Sequence, residues 1–266
     1  MSPYREAPVP QTPLSPRVAL LTTLAIAFHA AWLTIPNHAL ARYCGYASLL
    51  VCVVSALLRE PRALHATLLF ALISGWWLSA APLVWPLYFL VPVVAYGFAA
   101  RTVRPLRRTL AWPRVGRVDR VTVMLAIGTV VVSSLALVAW LRIFHPNLDD
   151  LRDQIPPDWS KRALFGLGVA FALGNAILEE IIWRGVVMES LEAGYGPGIV
   201  ALVLQAASFG AAHIMGFPRG GIGVAMAFVY GIALGLIRRR SNGLLAPIVT
   251  HVFADATIFA LMLRAL

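Results

Sequence analysis

The stretch ALFGLGVAFALGNAILEEIIWRG, Ala163 to Gly185, decides the fold and poses the functional question together. From Ala163 to Ile177 it holds a single polar side chain, and a bilayer-spanning helix needs roughly 20 such predominantly apolar residues. The run is therefore a membrane helix. Two adjacent acids and a base, Glu179, Glu180 and Arg184, follow inside the same apolar context, where solvation by water cannot be assumed.

The rest of the chain has the same character. Of its 266 residues, 59% are hydrophobic and 13% charged, with a mean hydropathy of +0.77. A soluble domain does not carry that much apolar content on so little charge. The runs are too long for the alternating ten-residue strands of an outer-membrane barrel. The sequence predicts an all-α, polytopic transmembrane helix bundle of eight or nine spans, near 18–36, 40–58, 63–80, 83–100, 121–144, 163–188, 198–216, 220–237 and 243–264. The weakest division is the third from the fourth, where only the Ala81-Pro82 step and the prolines Pro86 and Pro92 interrupt the run.

A net charge of +10 would suit nucleic acid, but the basic residues, all arginine except Lys161, lie in short connections between apolar runs. They read as topology signals, and the partners expected are the lipid bilayer and no nucleic acid. Arg101 to Arg120, Arg238 to Arg240 and the Arg59/Arg62 pair fall on one side of a nine-span chain, with the N-terminus inside. The connection from His145 to Arg162, with Asp149, Asp150, Asp153 and Asp158, falls opposite. Cys44 and Cys52 share one helix and are too far apart to bridge. Residues 1–17 read as a disordered, proline-rich tail before a retained first span, 18–144 as N-terminal transmembrane helices and 145–266 as the catalytic core.

Among the carboxylates, Glu179, Glu180 and Asp255 stand within apolar helices. An acid there costs roughly 2.5–3.5 kcal/mol on insertion scales and is a functional hypothesis by default. Glu180 and Arg184 are spaced to share a helix face, which marks a structural or orienting pair. Glu179 points about 100° away and is the better candidate for chemistry. The same four-residue spacing joins Phe209 to His213 and His251 to Asp255, and Asp255 is expected to orient the His251 ring. His29 and His65 read as packed or hydrogen-bonding histidines. Peptide hydrolysis without serine or cysteine needs a base for water and donors for the oxyanion, roles that Glu179, His213 and His251 can fill. Two histidines and a glutamate also match a zinc ligand set, but no HExxH occurs, and neither a metal nor another cofactor is expected.

The motifs EEIIWR (179–184), FGAAH (209–213) and HVFAD (251–255) together resemble the family of glutamate-type intramembrane proteases that includes CAAX prenyl endopeptidases and the bacterial CPBP proteins. The resemblance covers about residues 160–262. It implies that Glu179 and His213 activate the catalytic water, that His251 and residue 255 stabilise the oxyanion, and that Glu180, Arg184 and Phe209 support the site. The eukaryotic members carry Asn at the last position, and an ionised Asp255 cannot donate to an oxyanion, so it must be protonated or act through His251. The arginine- and alanine-rich composition suggests a bacterial chain in the plasma (inner) membrane, with a membrane-anchored protein or peptide as substrate. Surface-protein maturation is one such role. A non-catalytic scaffold or bacteriocin self-immunity protein on the same fold is the competing reading.

Overall fold

The computed structural model describes residues 14–79, 86–147, 149 and 159–264. Residues 1–13 of the predicted tail, the Ala81-Pro82 step and most of the acidic connection after His145 lie outside them. Every described element is helical: α1 Pro16–Thr34, α2 His38–Leu57, α3 Pro61–Leu78, α4 Leu87–Thr102, the short α5 Arg104–Thr109, α6 Arg120–Phe144, and α7 Lys161–Glu179. A π-helical segment, Glu180–Val187, carries α7 directly into α8 Met188–Tyr195, and α9 Ile199–Ala212, α10 Gly220–Ser241 and α11 Leu245–Arg264 complete the chain.

The helices start where side chains can satisfy orphan N–H groups. Ser15, Asn37, Asp119 and Ser160 each accept a hydrogen bond from the first turn of α1, α2, α6 and α7, and Pro16 and Pro61 open α1 and α3 without needing a donor. In Asp119, the Thr122 N–H and hydroxyl, with Arg240 beside them, hold the carboxyl below its usual range.

Each of the nine segments expected to span coincides with a helix or helical run. By length and apolarity, however, six helices among the described residues can cross a membrane: α1, α2, α6, the continuous Lys161–Tyr195 run, α10 and α11. The difference has local causes. The α4 helix begins only at Leu87, and α9 stops at Ala212 because Gly216 and Pro218 follow in a turn. At 14 residues, α9 is roughly 21 Å long, less than the hydrocarbon thickness.

Two kinds of contact bind the bundle. Apolar packing buries Leu69, Phe70, Ile182, Trp183 and Phe209 at its centre, whereas α6 leaves Met124, Val132 and Leu135 facing outward as a lipid-exposed helix does. Glycines supply the closest approaches. A Cβ on Gly194 would lie 2.5 Å from the Ala19 nitrogen, so α1 rests directly on α8. Gly194→Ala is expected to destabilise the protein by about 1–3 kcal/mol through overpacking, read as a lower thermal midpoint in detergent.

The arginine-rich segments meet at one end of the bundle. The strand-like stretch after α5 lies along the α10–α11 turn through Arg117 N–H to Ser241 O (2.7 Å), Leu244 N–H to Arg114 O (2.8 Å) and Leu245 N–H to Val115 O (3.1 Å). Gly116, at φ +87°, abuts Gly243 there, and Arg240 pairs with Asp119. Arg238 binds both Glu189 and Glu192 of α8. This gathering is the one expected of basic connections that share a membrane side.

Candidate active site

The change from α to π geometry falls at the acidic motif itself. Glu179 ends α7, and Glu180 opens a segment whose bonds skip to the fifth residue, a distortion that often marks functional positions. Two neighbours accommodate the widened backbone. Arg238 Nε donates to the Arg184 carbonyl at 3.2 Å, and Gly185 faces Trp112, which a Cβ would meet at 2.9 Å.

Glu180 is the hub. Its Oε1 accepts from an Arg184 guanidinium nitrogen at 2.9 Å and from His251 Nδ1 at 2.7 Å, with all three side chains buried. Shared with an arginine, this carboxylate is an acceptor, so Nδ1 carries the proton. The guanidinium lies 4.2 Å over the Phe209 ring, which receives the charge on its π face. Phe209 also contacts both histidines, with ring centroids 4.6 Å from His213 and 5.9 Å from His251.

Held in this way, His251 presents Nε2 to two further carboxylates, Glu179 Oε2 and Asp255 Oδ1, each at 3.6 Å. Glu180 thus meets the ring at Nδ1, while Asp255, expected from spacing to orient it, faces the opposite nitrogen. Asp255 is in turn held by Asn175, whose Nδ2 donates to Oδ2 at 3.1 Å. Glu179 Oε2 has no hydrogen-bond partner among the described residues, although the residue is only 8% exposed.

His213 caps α9, and its ring turns back so that Nδ1 meets the Phe209 carbonyl at 2.9 Å. A carbonyl only accepts, so Nδ1 donates and Nε2 of a neutral ring is an acceptor. This fold-back brings a histidine at the far end of α9 down beside Phe209.

The three motifs thus converge on one buried centre. Two participants were not anticipated. Asn175 stands four residues before Glu179, a spacing that could have flagged it; Tyr230, edge-on to His251 at 5.5 Å, left no signal beyond being polar within α10. His29 and His65 are packed elsewhere, His29 stacked on Phe70 at 4.4 Å and His65 bonded to the Tyr96 hydroxyl at 2.7 Å.

Fold and site together define a multi-pass helical membrane protein with an acid and imidazole centre buried in its bundle. The sequence model of one family, described as type II CAAX prenyl endopeptidase Rce1-like, matches residues 161–257. That segment holds every side chain of the centre, and over it the chain is similar to that family of CAAX-type membrane proteases. Comparison with curated proteins and with solved structures finds no match.

Proposed function

We propose that the protein is a glutamate-type intramembrane endopeptidase that hydrolyses a peptide bond in a membrane-anchored protein or peptide. One observation carries the reading: an unpartnered, nearly buried Glu179 oxygen faces the Nε2 of a histidine whose other nitrogen is locked by Glu180.

The chemistry follows from which atoms are free. Glu179 takes a proton from water as the water oxygen attacks the scissile carbonyl carbon, and His213 Nε2 accepts the second hydrogen and fixes the water's direction. The carbonyl oxygen becomes an anion, met by an N–H on His251 Nε2. For both His251 nitrogens to carry protons the ring must be an imidazolium, and Glu179, Glu180 and Asp255 surround it with the negative charge that this form requires. The Glu179 proton then passes to the amide nitrogen as the C–N bond breaks. Asp255 supports the imidazolium rather than donating to the oxyanion, and Asn175 fixes its carboxylate.

A positioning role for Asn175 predicts that Asn175→Ala lowers kcat by roughly 10- to 100-fold, the loss of a hydrogen bond to a charged group, with KM little changed. Asn175→Asp, which cannot donate when ionised, is expected to be no better. The function itself is tested with the purified protein reconstituted with a library of membrane-anchored peptides in 18O-water. Hydrolysis places one 18O at each new C-terminus, whereas transfer to another acceptor does not. A library left uncut by protein of verified fold argues against the protease reading.

A further inference from the structure

A second polar centre lies at the arginine-rich end and contains none of the acids or histidines of the one above. Between the start of α3, the α5 region and α8 is a cavity of about 340 Å³, within the range of small-ligand sites. Arg62 and Arg108 border it, and neither makes an ion pair or side-chain hydrogen bond with a described residue. Ser190 lines it at 2% exposed, and its hydroxyl has no hydrogen-bond partner among the described residues. A buried, unsatisfied hydroxyl costs free energy that a bound acceptor removes.

Two carboxylates, Glu189 and Glu192, also line the cavity and would oppose an anion if they were free. They are not. Glu189 pairs with Arg114 (3.3 Å) and Arg238 (2.7 Å), and Glu192 with Arg238 (3.3 Å) and Arg239 (2.8 Å), three cations against two anions. Arg62 and Arg108 therefore stand in surplus. Trp112 lines the cavity as well, its indole N–H on the Tyr96 hydroxyl at 3.1 Å, an amphipathic ring of the kind that settles at headgroup depth.

From these features we infer that the cavity binds a phosphate group, with Arg62 and Arg108 taking its charge and Ser190 donating to one oxygen. The phosphate belongs to a lipid headgroup or to a free phosphate ester; the recognition chemistry is the same. The site is independent of the proteolytic reading, and its test uses no activity.

The test is made on the full chain, purified in neutral detergent and stripped of lipid. Phosphatidylglycerol, phosphatidylcholine or inorganic phosphate is titrated while bound lipid is counted by native mass spectrometry and the thermal midpoint is followed. Saturable stabilisation is expected, weakened about fivefold by Arg62→Ala and by Arg108→Ala, the effect of one arginine near an anionic surface. Arg104→Ala, on the same short helix but off the cavity, should leave it unchanged. Should an arginine variant fail to fold, Ser190→Ala provides the weaker-binding comparison. Stabilisation by phosphatidylglycerol alone assigns a lipid, and stabilisation by inorganic phosphate alone assigns a free phosphate ester. No stabilisation by either, or an equal loss in Arg104→Ala, overturns the site.

Discussion

Glu179→Gln is expected to lower proteolytic turnover by roughly 10²- to 10⁴-fold, the range a positioned general base contributes, while the bundle keeps its fold. Glutamine has the shape of glutamate but cannot take a proton from water. The Glu179 Oε2 atom makes no hydrogen bond with a described residue and lies 3.6 Å from His251 Nε2, so the replacement loses one long ion-pair contact while it removes a buried negative charge from a cluster with two others. Its thermal midpoint in detergent should therefore equal or exceed that of the parent. Glu180→Gln is the necessary contrast. It replaces the carboxylate shared by Arg184 and His251 and should lower both stability and turnover. Equal stability losses in the two variants would mean that the long Glu179–His251 contact braces the centre as much as the hydrogen bonds of Glu180 do.

Arg184→Leu is expected to cost about 3–5 kcal/mol of stability, as does removing one partner from a buried pair. The side chain is fully buried, it is the cation bonded to Glu180, and its face lies on Phe209. Without it, Glu180, Glu179 and Asp255 share one buried region with only the His251 imidazolium to balance them. The double variant Glu180→Gln/Arg184→Leu should lose less than the sum of the single losses, because it leaves no unpaired charge between those positions. Arg184→Lys should fall between, since an ammonium keeps the charge but cannot stack a planar face on the ring. Unfolding midpoints in a denaturing-detergent titration provide the cycle. Additive losses would show that the two side chains do not act as a pair.

Much of this was legible because the membrane simplifies the sequence. Apolar runs of spanning length mark the helices, since in lipid only a helix satisfies the backbone of such a segment from within. The Glu180–Arg184 pair was legible from spacing alone. What spacing could not give is which residues meet across helices. The sequence paired His251 with Asp255 because they are neighbours on one helix, but the nitrogen facing Asp255 is not the one that fixes the ring; Glu180, from another helix, does that. Nor does a regular helix anticipate the π segment, where Arg238 and Trp112 arrive from elsewhere to meet the Arg184 carbonyl and Gly185. The short α9 was hidden for a different reason. Its apolar run continues to Met215, and only the local turn after His213 ends the helix.

On the proposed function, Glu179 is the base of a proteolytic site and Glu180 its brace. The most direct measurement is a comparison of protein termini in membrane and secreted fractions of the source cells, with the parent, Glu179→Ala and Glu180→Ala proteins at verified equal abundance. One or more membrane-anchored precursors are expected to accumulate uncut in the Glu179 variant, and also in the Glu180 variant. Unchanged termini in both variants, beside a clear phenotype on deleting the whole protein, would contradict the proposed function and leave the non-catalytic reading in its place.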